Sequence, residues 1–137
     1  MEFIISPIAS EKIQIDRYSL KSETGACIDF LDSVNRFAGW KAILTVKNAW
    51  IQYNRVDFGS TKSRSIQVRV FSKAGGTLQI RLDNNNGAVI AQVNVPAGQE
   101  WRILTIPLLL FRPGIHNLVT TINDNSNAEI DWISFSR

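Results

Sequence analysis

The sequence predicts an all-β fold, a jelly-roll β-sandwich of two antiparallel sheets, and three observations point there. Short β-branched and aromatic runs recur along the chain. No stretch sustains the apolar spacing of a long amphipathic helix. Gly, Asn, Ser and Pro separate the runs, and about eight short strands suit a sandwich or jelly roll.

The expected strands cover residues 13–18, 50–58, 65–72, 77–82, 89–95, 102–107, 114–122 and 130–135. In the third, Ile66, Val68 and Val70 alternate with Gln67 and Arg69, so a strand sends the two sets to opposite faces. Val68, Val70, Leu78, Ile80, Val93 and Leu118 are the expected core. Lys73-Ala74-Gly75-Gly76 and Asn84-Asn85-Asn86-Gly87 supply residues that tolerate positive φ and read as tight reversals. The segment 23–47 reads as a long connection carrying Gly25, Asp32, Asn35 and Gly39, with Phe37 and Trp40 exposed or half-buried. A connection of that length in a small domain is often functional.

Length and composition bound the rest. A chain of 137 residues, 45% hydrophobic and 20% charged, is one domain large enough to bury a core without disulfides. No apolar run approaches the ~18 residues of a membrane-spanning helix, so a membrane is not an expected partner. The net charge of +3 comes from scattered residues, among them Lys41, Lys47, Arg55, Lys62, Arg64, Arg69, Lys73 and Arg81. A nucleic-acid face would concentrate them on one stripe with stacking aromatics between. The single Cys27 cannot form an internal disulfide and says little about redox compartment. Met1-Glu2-Phe3-Ile4-Ile5-Ser6-Pro7 lacks the features of a signal peptide. A start there and a finish on a strand-like segment fit a domain excised from a larger protein; a cytosolic protein starting at Met1 is the other reading.

Recognisable catalytic chemistry is sparse. The lone histidine, His116, falls in a strand with no nucleophile and acid spaced to complete a triad, which favours a structural or exposed role. Phosphate-binding glycine motifs, zinc-type Cys/His clusters and nucleophile elbows are missing. Two acids from distant strands can still meet in a cleft as a glycosidase pair without a local signature. The run from Asn123 to Glu129 has the composition of a calcium loop but neither the Gly nor the helices of an EF-hand. It reads as a polar loop.

Four blocks then resemble one family. Trp50-Ile51-Gln52-Tyr53-Asn54-Arg55-Val56-Asp57-Phe58-Gly59, Gly75-Gly76-Thr77-Leu78-Gln79-Ile80-Arg81-Leu82-Asp83, Gly114-Ile115-His116-Asn117-Leu118 and Glu129-Ile130-Asp131-Trp132-Ile133-Ser134-Phe135 are similar, in that order, to the family-6 carbohydrate-binding modules. The resemblance covers the chain from about Ile13 onward. It implies a galactose-binding-like jelly roll appended to a glycoside hydrolase, non-catalytic, holding that enzyme on a polysaccharide and secreted as part of a larger protein. A purely structural accessory domain without sugar affinity is the alternative.

The resemblance also implies two sugar sites. In the loop-edge cleft, the family's first aromatic falls on Leu44, with Trp40 a substitute in the same segment. The second lies in a loop shortened here to Ala97-Gly98-Gln99-Glu100, and the family's Asn is Glu129. That site would draw on Trp40, Asn127, Glu129 and Trp101, although Trp101 opens a strand and reads also as core. On the concave sheet face the family's Trp matches Trp50, and its acid is replaced by Gln79. Trp50 and Gln52 share one strand face and Gln79 and Arg81 another, an aromatic platform flanked by polar groups unless Trp50 is core. The resemblance finally implies a structural calcium held by Gln14, Asp16 and Asp131, all oxygen donors suited to a hard cation. The alternative is an Asp131 paired within the protein, since buried acids need partners.

Overall fold

Alternation decides most of the architecture. The computed structural model describes residues 13–14, 20–32, 34–35, 39–59, 63–124 and 127–135. Among them are eleven strands: β1 (Ile13–Gln14), β2 (Leu20–Lys21), β3 (Ala26–Phe30), β4 (Trp40–Leu44), β5 (Trp50–Asp57), β6 (Ser65–Phe71), β7 (Gly76–Leu82), β8 (Val89–Val95), β9 (Arg102–Pro107), β10 (Ile115–Ile122) and β11 (Ala128–Phe135). One sheet runs β3-β4-β11-β6-β9, with β1 also pairing β11, and the other runs β2-β5-β10-β7-β8. All pairs are antiparallel. This is the expected two-sheet jelly roll.

The core forms where the two inward faces meet. Ile66, Val68 and Val70 face Leu78, Ile80, Val93 and Leu118, and every one of these is buried. Gln67 and Arg69 stay on the outer face as alternation requires. Seven of the expected strands recur within one or two residues of their predicted bounds. Of the first, only Ile13–Gln14 falls within the described residues.

Two expectations need correction. Much of the segment 23–47 is a hairpin: β3 and β4 pair from Ala26↔Leu44 to Phe30↔Trp40. Its alternation runs for only five residues in β3, and Ala42-Ile43-Leu44 breaks it in β4, so the pattern was hidden. The glycines lie at the strand ends: Gly25 has φ +80, and a Cβ there would run into the Val46 side chain. The second correction is residues 73–76. They do not reverse the chain within a sheet, because β6 and β7 belong to different sheets, and the segment arches from one to the other. The 84–87 reversal does stand between paired strands β7 and β8. There the Gly87 amide donates to the Asn84 carbonyl at 2.9 Å, and the Asn86 amide to Asn84 Oδ1 at 2.8 Å. A Cβ on Gly87 would overlap the Leu82 carbonyl oxygen.

The pairing slips at three places, one of them between β7 and β8 at Ile80 and Arg81, and at the other two a bulge keeps the inward set intact. On β5, Asn54 and Arg55 together oppose Asn117, and Arg55 takes φ +58. Asn117 locks the irregularity: its Oδ1 accepts from the Arg55 amide at 3.1 Å and its Nδ2 donates to the Asp83 carbonyl at 3.3 Å. On β11, Asp131 and Trp132 together oppose Arg69. Ile130, Ile133 and Phe135 therefore all point inward despite their uneven spacing.

Truncating Val68 to Ala is expected to destabilise the fold by about 1–3 kcal/mol, because the site is 1% exposed and its neighbours cannot close the gap. Gly87→Ala should lose more. Urea unfolding of the two variants checks both the sizes and the order.

Candidate functional site

The outer face of the five-stranded sheet is set by β10 at its centre. Leu118, Thr120 and Ile122 lie opposite inward residues of β5 and β7, so Val119 and Thr121 point outward. Register then assembles two cross-strand rows. The first is Trp50, Thr121, Gln79 and Gln92; the second is Leu20, Gln52, Val119 and Arg81. At 4.7–4.9 Å between strands, the first row spans about 14 Å. All four residues expected on this face are there together. Trp50 is half-buried and not core.

The polar groups of the face hold one another. Gln52 Nε2 donates to Asn54 Oδ1 at 2.6 Å. Arg81 donates through one terminal nitrogen to Gln79 Oε1 at 2.6 Å and through the other to the Gly87 carbonyl at 2.9 Å. Because arginine only donates, the oxygen of Gln79 must face it, and the amide NH2 of Gln79 remains as donor. Thr121 is 7% exposed, and its Oγ1 has no hydrogen-bond partner. A buried hydroxyl left without a partner is destabilising by about 1–3 kcal/mol. Beside Trp50 the face continues into an open groove lined by Lys21, Ser22, Glu23, Lys47 and Asn48.

Thr121 and Gln92 belong to this face and were missed in the sequence. The usable signal was parity: once Leu118 is core, Thr121 three positions on must lie on the opposite face.

Of the loop-edge candidates, Glu129 and Trp101 come together, since Lys41 pairs with Glu129 and lines a groove with Trp101, whereas Trp40 and Asn127 do not line it. Trp40 stacks on Phe30, with centroids 4.3 Å apart, and is 39% exposed. It sits at the far end of β4 from Leu44, the residue paired with Ala128, roughly 13 Å along the strand. Beyond Ile130, β1 takes over the edge of β11 that β4 occupies earlier, so the Trp40 end parts from β11 while staying paired with β3. Asn127 is exposed, and its carbonyl accepts from Ser72 Oγ at 2.6 Å. Glu129 is paired with Lys41 at 2.5 Å.

Trp101 is not a core residue. It is half-buried on the outer face of the six-stranded sheet, where the Arg69 guanidinium lies 4.9 Å from its ring centroid and Phe71 lies 5.9 Å away. A cation over an indole face is favourable, which explains how the ring is covered from outside the core. Together with Asp29, Leu31, Asp32 and Lys41 it lines a second open groove.

Of the expected calcium donors, Asp16 and the side chain of Gln14 lie outside the described residues. Asp131 is 7% exposed, and its Oδ2 accepts from Arg69 Nη1 at 2.7 Å. No group of three or more potential metal ligands occurs among the described residues. His116 bridges loop elements: Nε2 lies 2.9 Å from the Pro113 carbonyl and Nδ1 3.3 Å from Asp83 Oδ1.

The fold and this arrangement can be set beside known proteins. The model of the family described as carbohydrate binding module (family 6) matches residues 33–137. An arabinoxylan arabinofuranohydrolase of Bacillus subtilis is 34% identical over 64 residues, which cover 44% of this chain and 12% of that enzyme. The chain thus spans about an eighth of the length of the curated relatives it matches. A β-1,3-glucan-binding family 6 module of Bacillus halodurans superposes with a TM-score of 0.82 and 25% identity, covering 97% of this chain and 100% of that one. A family 6 module of Clostridium cellulolyticum in complex with xylose gives 0.81 and 25%, covering 95% and 99%.

Arg69→Ala is expected to destabilise the protein by about 1–3 kcal/mol, since it leaves the Asp131 carboxylate buried without its donor. Thermal unfolding with Asp131→Asn in the same background tests the cause. The second change should recover part of the loss, because it removes the stranded charge.

Proposed function

The chain belongs to family 6 of the carbohydrate-binding modules, which are non-catalytic, and from that premise we propose that it holds an appended glycoside hydrolase on a polysaccharide through the outer face of its five-stranded sheet. The observation that carries this reading is the Trp50–Thr121–Gln79 row. It offers an aromatic ring for the C–H face of a sugar, an amide donor beside it, and between them a buried hydroxyl without a partner. Those are the components a saccharide site needs: one apolar platform and a few placed polar groups. The arabinoxylan-processing relatives support a polysaccharide target and a glycoside hydrolase parent, and secretion of that parent is part of the same proposal. Trp40, Asn127, Glu129 and Trp101 support the loop-edge site less well, since two of them stand in contacts of their own and Trp40 lies apart.

Trp50→Ala and Trp40→Ala, each checked for folding, separate the two sites by titration with xylo- and gluco-oligosaccharides. The Trp50 variant is expected to lose about five- to thirtyfold in affinity, as stacking on one aromatic accounts for roughly 1–2 kcal/mol. The Trp40 variant should bind like the parent. Binding retained without Trp50 and lost without Trp40 restores the edge cleft. Binding absent from the parent protein across the series leaves a purely structural accessory domain.

A structural calcium held by Gln14, Asp16 and Asp131 forms part of the same proposal. Such an ion has to share Asp131 with Arg69, or draw it away. The expected outcome is a melting temperature several degrees lower after chelation and restored by added calcium. An unchanged midpoint assigns Asp131 to Arg69 alone.

A further inference from the structure

Charge is unevenly distributed over the two outer faces. On the six-stranded sheet the partly buried cations are matched: Lys41 pairs with Glu129 and Arg69 with Asp131, Asp29 and Asp32 line the same groove, and Arg102 on the edge strand β9 is exposed to solvent. On the five-stranded sheet, Arg81 has no carboxylate partner among the described residues. Its two recorded acceptors, Gln79 Oε1 and the Gly87 carbonyl, are neutral oxygens, and its Nε is buried with no acceptor at all. The groups facing it across the strands are Gln52, Val119 and Val89, all neutral. Asp83, two residues along, lies against His116, and Asp124 accepts from the Thr77 amide at 3.1 Å. At the Trp50 end, Lys21 and Lys47 line the adjoining groove against the single acid Glu23.

A half-buried guanidinium with only neutral partners is electrostatically unsaturated, because solvent screens it less than a surface charge and nothing nearby neutralises it. Were the face built for a neutral sugar alone, an amide in place of Arg81 could donate to the same oxygens, or a carboxylate in place of Gln79 could accept from Arg81, without leaving an unbalanced charge. Resting on the reading of this face as the sugar site, we infer that its ligand is an acidic saccharide whose carboxylate pairs with Arg81, with Trp50 stacking on a neighbouring ring. The ligand class is a hexuronate-bearing polysaccharide. Arg81 is seated one row from Trp50 and two strands away, so platform and cation engage different parts of one oligosaccharide. Lys21 and Lys47 extend the positive rim past Trp50 and steer the same polyanion.

Three probes of one length test this: a xylo-oligosaccharide bearing one glucuronate, its methyl ester, and the unsubstituted oligosaccharide. The acid should bind the intact module about tenfold more tightly than the ester, as one charge-assisted hydrogen bond supplies, and the gap should shrink as salt rises. Arg81→Gln, with folding confirmed by its melting curve, should abolish the difference between acid and ester. Arg81→Lys should retain most of it. Equal binding of acid and ester by the parent protein overturns the inference, and so does a preference that survives Arg81→Gln. If acid and ester bind alike and Trp50→Ala abolishes both, the ligand is neutral and the face is still the site. If Trp50→Ala changes neither, the face reading itself fails. Absence of binding by all three overturns the hexuronate assignment.

Discussion

The register of β10 between β5 and β7 is the constraint from which the ligand face follows. Because side chains alternate with a period of two, burying Leu118 and Ile122 leaves no choice about Thr121. It must emerge between Trp50 and Gln79, which sit opposite it on the two flanking strands. A slip of β10 by one residue would turn Leu118 and Ile122 outward between Trp50, Gln52, Gln79 and Arg81, and Val119 and Thr121 into the core. The core therefore enforces the composition of the outer face as strongly as it enforces its own. Thr120 shows how tightly: its hydroxyl points inward, 1% exposed and without a partner, a penalty accepted within a register that every neighbouring apolar residue favours.

Both bulges serve that constraint. A regular pairing could not bring Ile51, Tyr53 and Val56 to the same side, nor Ile130, Ile133 and Phe135, since each set contains a spacing of three. The extra residue restores the parity each time. On β5 it is stabilised by Asn117, whose side chain bonds two separate backbone groups. On β11 it brings Asp131 against Arg69, and the Arg69 guanidinium then covers Trp101. The outer face of the six-stranded sheet is thus organised by internal pairing, while that of the five-stranded sheet keeps donors unspent.

The parts of the fold written in the sequence were those with clean alternation. Residues 66–70 and 91–95 declare a strand because apolar and polar positions alternate there. The β3–β4 hairpin was harder to read: Ala26, Ile28 and Phe30 alternate with Cys27 and Asp29 over only five residues, and Ala42-Ile43-Leu44 in β4 breaks the alternation. Trp50, Gln52, Gln79 and Arg81 could be placed on one face from local parity, since each pair sits two apart in a strand. Parity with Leu118 could place Thr121 on the outer face as well, but not its importance, which depends on having two particular neighbours on other strands. Sequence cannot show which strands are adjacent. The same limit explains Trp101: opening a strand suggested burial, and only the tertiary position of Arg69 reveals that a cation and not the core covers it.

The allocation of carboxylates separates binding from catalysis on this scaffold. Hydrolysis of a glycosidic bond needs two acids facing one cleft, about 5–9.5 Å apart, with protons to exchange. Among the described residues most acids are otherwise engaged, and the exposed Glu23 and Glu100 are the exceptions. Asp29, Asp32 and Asp57 accept backbone amides in their own turns, and Asp124 accepts that of Thr77. Glu129 and Asp131 are held by cations, and Asp83 lies against His116. The rows that Trp50 and Arg81 occupy contain amides, a hydroxyl and a guanidinium, none of which exchanges a proton readily near neutral pH. A face of donors around one aromatic ring can orient and retain a saccharide, but it has no group to cleave one. Retention is what an appended enzyme gains from such a face, because tethering to the polymer raises the local substrate concentration without any step at the module itself.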